Sequence, residues 1–331
     1  MKKLLPFEYP TIVDTYSGIA GNVGAYMNYR KEYMPLLIVN HFLITYNWTK
    51  KEVGFNWMYY KNNYGHFTDI RLEAKKEGTI KTIKKYILDN KYIRIILDFY
   101  YISNTTWYKD ESHLLHYIPQ IIGFDDNEEC VFLVENLCDG KYKIIKVPYK
   151  EIKEARNGHE DEIFDCSYFD RKIDFILSKY ELVELLKSWL DSCCYLKKTS
   201  DNIDSQEEIV YGMDVYNVLA WTTEETSKNA EEAYDVRTFH AIINHFDVFN
   251  VMLAEWIIST NYISPMYVDE LTKITSDIQD LCKRARIMEN LYLKLVATQN
   301  HNTMKRLLEM IEQIKIQEED SIRKLIFILQ S

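Results

Sequence analysis

The chain has 331 residues and a formal net charge of −10, with 47% hydrophobic and 27% charged residues. This composition is ordinary for a globular protein, and the acidic balance excludes general nucleic-acid binding, which usually leaves a basic patch or stripe. The length favours two domains. No apolar run reaches the roughly 18 residues of a membrane span, and residues 7–10 interrupt the apolar start before a signal-peptide core forms. None of the six cysteines shows CxxC spacing, so we expect a reduced cytoplasmic protein without zinc, another metal or a cofactor.

The first predicted helix lies between Asp14 and Arg30. Apolar residues recur there at helical spacing, and Asp14, Thr15 or Ser17 is suited to cap its start. Further along, residues 79–89 have the apolar ridge of an amphipathic helix. Residues 92–101 form the clearest central strand, with Asp98 at its exit. His113 lies outside the strands that flank it, and we interpret it as a surface or loop histidine.

Residues 113–137 predict two strands joined by a turn. An apolar run ends at Ile122, a polar connection covers 123–129, and a second apolar run continues to Glu135 and Asn136. Antiparallel neighbours bring the start of one strand beside the end of the next, so His116 and the Glu135-Asn136 pair are expected at the same end of the sheet. Such a pair could hold one ring nitrogen of His116 while the other acts.

The pattern of His116, Gly123-Phe124-Asp125, Glu135-Asn136 and Gly140-Lys141-Tyr142 resembles the family of the N-terminal domain of the butirosin-biosynthesis acyltransferase, protein H, among the papain-like cysteine proteins. Members tend to show a histidine, a short apolar strand, Gly-Tyr-Asp, a strand ending in Asp-Asn, and a Gly-Lys-Tyr turn. The resemblance implies a papain-like α+β domain in secondary metabolism, including nonribosomal peptide biosynthesis. Its implied reaction takes an acyl group from a carrier-protein thioester to a small-molecule amine, or hydrolyses an amide.

Two features depart from the family pattern. Glu135 stands where the family usually has aspartate, which keeps the charge and lengthens the side chain. The spacing from His116 to Gly123 is about one residue longer than the family pattern, and Pro119 lies inside the run. A β-bulge at this proline would absorb the extra residue and restore the register. Without a bulge, Tyr117 takes the histidine position.

The nucleophile position of this family is a cysteine in the first turn of a helix, where the helix dipole lowers the thiol pKa. Here no cysteine precedes Cys130. The corresponding position is Thr15, with Ser17 and then Gly18 as alternatives. Thr15 and Ser17 are either helix caps or hydroxyl nucleophiles that depend on a neighbouring base. The competing hypotheses are an inert relative that binds a natural product or a carrier-tethered intermediate, and a structural partner of an active protein.

We divide the sequence into a papain-like α+β domain at 1–160 and an α-helical domain at 161–331. In the second part strand alternation disappears and long helical ridges follow one another, including 209–222, 234–259 and 268–295. Helices of about 30 residues leave an apolar face for a homodimer partner or for the first domain. His240 and His245 are five residues apart and share no helix face, which argues against a metal site.

Overall fold

The structure is a computed structural model of the chain. It describes residues 1–9, 12–15, 24–25, 30–55, 68–113, 115–116, 119–136, 142–167, 177–193, 208–229, 235–258, 260 and 262–331, and of residues 30–32, 116, 135 and 136 only the backbone. The chain divides into two compact units. The first unit comprises Met1–Tyr33 and Asn62–Ile173, and the second comprises Met34–Lys61 and Asp174–Ser331.

The described strands, in chain order, are β1 (Lys2–Leu4), β2 (Ile44–Asn47), β3 (Glu52–Phe55), β4 (Thr68–Asp69), β5 (Tyr92–Ile95), β6 (Leu97–Asp98), β7 (Leu115–His116), β8 (Gln120–Asp125), β9 (Cys130–Asn136), β10 (Tyr142–Pro148), β11 (Phe164–Ser167) and β12 (Ile209–Tyr211). The described α-helices are α1 (Arg30–His41), α2 (Arg71–Glu77), α3 (Thr79–Leu88), α4 (Tyr149–Arg156), α5 (Lys179–Leu190), α6 (Val215–Lys228), α7 (Arg237–Val251), α8 (Val268–Thr298) and α9 (His301–Gln330).

An antiparallel sheet is the centre of the first unit. Its described strands follow the order β10-β9-β8-β5-β11-β4, and β1 pairs with β8 beside β5. Every residue of β8 is buried. Gly123 permits the pairing with β1, because a Cβ at this position would lie 2.5 Å from the carbonyl oxygen of Lys3 and 2.9 Å from the Cα of Leu4. The strand β8 is therefore covered on both edges of its backbone.

Helices α3 and α4 belong to the same unit. The predicted ridge of α3 is confirmed, since Ile83 and Ile87 are fully buried. At the end of α4 the guanidinium of Arg156 donates to the backbone carbonyls of Ile96 and Ile163, which lie just after β5 and just before β11. Burial lowers the pKa of Arg156 to about 10. The charge is thus satisfied by backbone oxygens and ties the helix to two strands.

The second unit combines a small sheet with helices. Strands β12, β2 and β3 pair in that order, all antiparallel. Helices α8 and α9 form a long helical hairpin. Gln299, in the left-handed conformation at φ 47°, ends α8, and the side chain of Asn300 caps α9 by accepting from the backbone N–H groups of Asn302 and Thr303.

A polar network lies in the core of the second unit. The ring of His245 (α7) is fully buried and stacks on Trp189 (α5) with ring centroids 4.0 Å apart. Its Nδ1 donates to the carbonyl of Phe42 at 2.6 Å, and its Nε2 lies 2.6 Å from Glu318 (α9). The second carboxyl oxygen of Glu318 accepts from the hydroxyl of Tyr216 (α6).

This network is neutral overall. A carbonyl only accepts, so Nδ1 of His245 carries a hydrogen, and one further proton lies between Nε2 and Glu318. The pair has zero net charge whichever partner holds that proton. Burial, followed by the neighbouring Glu318, raises the pKa of Tyr216 well above its usual range, so the phenol remains a donor. Helices α6, α7 and α9 are therefore joined through fully satisfied buried groups.

The predicted α+β class with a helical C-terminal part is confirmed. Three local predictions are wrong. The strand predicted at 92–101 is interrupted after Ile95 and ends at Asp98, and a 3-10 helix covers Phe99–Tyr101. Residues 209–211 form strand β12 instead of the start of a helix, and β11 is a further strand beyond residue 161. The units also differ from the sequence-based domains at 1–160 and 161–331, because residues 34–61 cluster with the second unit. Among the described residues, no helix is both long enough and apolar enough to cross a membrane.

We expect Glu318→Ala to lower the free energy of unfolding by about 3 kcal/mol, because it leaves His245 and Tyr216 buried without their shared partner. Glu319→Ala is the matched control. Glu319 is the next residue on the same helix, 42% exposed and paired only with Arg323, and its loss should cost less than about 0.5 kcal/mol. Urea unfolding followed by circular dichroism measures both values, and equal losses would contradict the role of the network.

Candidate functional site

The predicted hairpin is present in the first unit. Strand β8 pairs antiparallel with β9, with Gln120 opposite Val134 and Asp125 opposite Cys130. Glu135 and Asn136 therefore lie at the end of the sheet from which β8 begins, and His116 precedes that same strand. The connection between β8 and β9 is shorter than predicted. Residues 123–125, predicted in the turn, belong to β8 and pair with β1.

His116 belongs to a short ribbon that extends the sheet. Strand β7 pairs with β6, with His116 opposite Leu97, whereas β5 pairs with β8, with Arg94 opposite Gln120. Continuing the second register would place residue 117 opposite Leu97, so the two registers differ by one residue. A one-residue shift of this kind is what a bulge near Pro119 would produce, which is one of the two alternatives that the sequence leaves open. A separate bulge lies between Ile121 and Gly123 on the side of β9.

The segment of Asp14 and Thr15 is joined to the same end of the sheet. Asp14 and Thr15 are half-buried in an irregular stretch, and the hydroxyl of Tyr142 donates to the carbonyl of Asp14 at 3.2 Å. Tyr142 is the partner of Asn136 in the pairing of β10 with β9. One side-chain contact therefore links the residue before Thr15 to the sheet end at which β9 stops. Ser17 lies outside the described residues, as do the side chains of His116, Glu135 and Asn136, so the distances between these groups stay predictions.

The first unit contains an oriented imidazole, on His113. Its Nδ1 lies 2.7 Å from Oδ2 of Asp98, a carboxylate that is only 5% exposed. The other oxygen of Asp98 accepts from the backbone N–H of Tyr100 at 2.9 Å. The His113 ring stacks on the Tyr100 ring, with centroids 4.3 Å apart and planes 18° apart. Two contacts therefore fix the ring, although half of the side chain is exposed.

The pair of Asp98 and His113 can act as a proton acceptor. The carboxylate accepts the Nδ1 hydrogen, which leaves Nε2 as the basic nitrogen, and Nε2 has no partner among the described residues. The sequence pattern predicts a surface or loop histidine at position 113 and indicates no carboxylate partner for it. The only available signal is the acidic residue at the exit of a buried strand, because the two residues are separated by a loop whose path the sequence does not indicate.

The described cysteines of this unit are buried. Burial raises the pKa of the Cys130 thiol, and it raises the pKa of Cys166 to about 11. A thiol in such surroundings holds little thiolate at neutral pH and is a poor nucleophile. Neither residue replaces the cysteine that is missing near Thr15.

Within the described part of the chain, no three His, Cys, Asp or Glu side chains converge in a way that could hold a metal ion. In the second unit, His240 contacts Glu289 at 2.8 Å and His245 contacts Glu318 at 2.6 Å.

We expect iodoacetamide to modify Cys193 in the native protein while Cys130 and Cys166 stay unmodified. Cys193 is half-buried, whereas the other two thiols are buried and have raised pKa values. The pKa of Cys166 lies about three units above pH 8, so at that pH only about one part in a thousand of this thiol is thiolate. Peptide mapping by mass spectrometry measures the modification of each cysteine. Modification of Cys130 or Cys166 as fast as that of Cys193 would contradict this expectation.

No protein-family model matches the chain, and a search of curated proteins gives no significant match.

Proposed function

We propose that the first unit is a papain-like domain of the acyltransferase or amidohydrolase type, acting on carrier-tethered acyl groups in secondary metabolism. The observation that carries the proposal is the contact of Tyr142 with Asp14, because it brings the segment of Thr15 to the sheet end at which β9 stops and β8 starts. The partners in this proposal are an acyl or peptidyl carrier protein and a small-molecule amine or natural product.

The strand positions support the pairing of His116 with Glu135. Strand β9 ends at position 136, at the sheet end from which β8 begins. Position 116, in the short ribbon of β6 and β7, precedes the start of β8. Both positions therefore belong to the same end of the antiparallel strands, as the pairing requires.

In the proposed reaction, the hydroxyl oxygen of Thr15 or Ser17 attacks the thioester carbonyl carbon, and His116 accepts the hydroxyl proton. The carbon–sulfur bond breaks, and the proton passes to the leaving thiolate. The acyl ester is then transferred to an amine or to water. Glu135 and Asn136 orient the imidazole. A hydroxyl depends on such a base because its own pKa is far too high for spontaneous ionisation.

A second candidate is an inert relative that binds a natural product or a carrier-tethered intermediate, or that serves as a structural partner. The burial of Cys130 and Cys166 and the absence of a cysteine near Thr15 favour this candidate. The two candidates differ in whether a covalent acyl-protein forms.

We expect the full-length protein to form a covalent adduct with an acyl-pantetheine thioester, detected by intact mass. Thr15→Val together with Ser17→Ala should remove the adduct. His116→Ala should slow its formation by about three orders of magnitude, because removal of a triad base has effects of this size. His159→Ala is the matched control, since His159 is a half-buried histidine of the same unit in a turn beyond α4.

His113→Ala distinguishes between His113 and His116 as candidates for the base. Retention of the adduct in His113→Ala and its loss in His116→Ala support the assignment of the base to His116. The reverse result would move the base to the pair of His113 and Asp98. Absence of any adduct in the natural sequence, combined with acylation of Thr15→Cys or Ser17→Cys, would refute the enzyme and favour the binding protein.

A further inference from the structure

A cleft in the second unit has the size and lining of a small-molecule site. Its volume is about 520 Å³, and its walls come from β2 and the turn after it, from α6, and from the start of α7. Sites for small ligands usually have volumes of about 300–1,000 Å³ and combine aromatic walls with a few polar groups. None of the described lining residues belongs to the first unit, so the argument for this cleft does not rest on the proposed acyl transfer.

The first sign of a ligand is the hydroxyl of Tyr46, a residue of β2 that lines the cleft. Only 4% of Tyr46 is exposed, yet its hydroxyl has no hydrogen-bond partner within the described part of the chain. A hydroxyl at the wall of a cleft that has no protein partner is able to donate to a bound acceptor. Burial and the nearby carboxylate of Asp235 raise the pKa of Tyr46, so the hydroxyl is protonated and able to donate.

An aromatic wall lies in the same cleft. Trp221 of α6 lines the cleft and is 37% exposed, which is high for the largest apolar side chain. The edge of Trp48 holds it in place, with ring centroids 4.8 Å apart and planes at 82°. Trp48 in turn meets Tyr46 edge to face at 5.0 Å. The exposed indole is thus a fixed surface for a planar ring.

The charges of the lining favour an anion. Asp235 is already bound by the guanidinium of Arg237, at 2.9 Å from Nε, and Glu225 is bound by Lys228 at 2.7 Å. Lys51, in the turn after β2, has no ion-pair partner among the described residues. The two acidic groups are neutralised, and the ammonium group of Lys51 is left to attract a negative charge.

We propose that this cleft binds a small aromatic carboxylate. The ring of the ligand lies on Trp221, and its carboxylate accepts hydrogen bonds from the ammonium of Lys51 and the hydroxyl of Tyr46. A carboxylate supplies the acceptors that both donors lack, and a planar ring covers the exposed indole. A neutral or cationic aromatic molecule can cover Trp221, but it brings no negative charge to the ammonium of Lys51.

The test is calorimetric titration of the full-length protein with naphthylacetate, compared with naphthylethanol and naphthylmethylammonium, which carry the same ring without the negative charge. We expect saturable binding of naphthylacetate at one site, and binding at least about tenfold weaker for the other two, because hydrogen bonds to charged groups are worth this much. Lys51→Met should lower the affinity for naphthylacetate by about tenfold, and Tyr46→Phe should lower it by about fivefold.

Lys324→Met is the control, because Lys324 is an exposed lysine of the same unit that pairs with Asp320 on α9 and lies outside the described lining of the cleft. The affinity of this variant for naphthylacetate should equal that of the natural protein. Circular dichroism checks the fold of each variant, and Tyr46→Phe removes one oxygen that has no described partner. Absence of saturable binding by naphthylacetate overturns the proposal. Tighter binding of the ammonium compound, or equal losses in Lys51→Met and Lys324→Met, overturns it as well.

Discussion

Strand β8 pairs along one edge with two strands, β5 at its start and β1 at its end, and along the other edge with β9. This arrangement requires a residue without a side chain at position 123, where the backbone of Lys3 and Leu4 approaches too closely for a Cβ. The glycine of the sequence motif therefore has a structural reason that is independent of any reaction. Because β9 takes its register from β8, this close approach also fixes the sheet end at which Glu135 and Asn136 lie.

The second unit is organised by side chains as well as by backbone pairing. His245, Glu318 and Tyr216 come from three helices, and each uses its polar atoms on the others or on the carbonyl of Phe42. Apolar packing alone allows neighbouring helices to slide with little loss, whereas a buried network with defined donors and acceptors has one arrangement in which every group is satisfied. The network thus specifies how α6, α7 and α9 pack together.

The reaction proposed for the first unit depends on which of its side chains can lose or accept a proton. A cysteine in the position of Thr15 would supply a thiolate, but the described cysteines of this unit are buried and have raised pKa values. A hydroxyl in that position needs an oriented base. Two histidines lie close together in the chain near the start of β8, and only His113 has a described carboxylate partner. In the proposed reaction, the position of His116 before the start of β8 supports one candidate base, and the contact of His113 with Asp98 supports the other.

Local sequence patterns determined the hairpin of β8 and β9, the helices α3 and α8, and the change from a mixed to a helical composition. These elements follow from apolar periodicity and turn residues, which act over a few neighbours along the chain. The short strands β11 and β12 escaped prediction because three or four residues give too little periodicity, and their pairing partners are distant in sequence.

Tertiary structure alone decided the contacts between distant segments. It placed residues 34–61 with the second unit, joined Asp98 to His113 across a loop, and brought Tyr46 and Trp221 to one cleft. Each of these contacts joins residues whose separation along the chain carries no periodic signal. The sequence determined which segments could form helices and strands, and packing decided which of their polar side chains meet, because that outcome depends on the burial of the whole core.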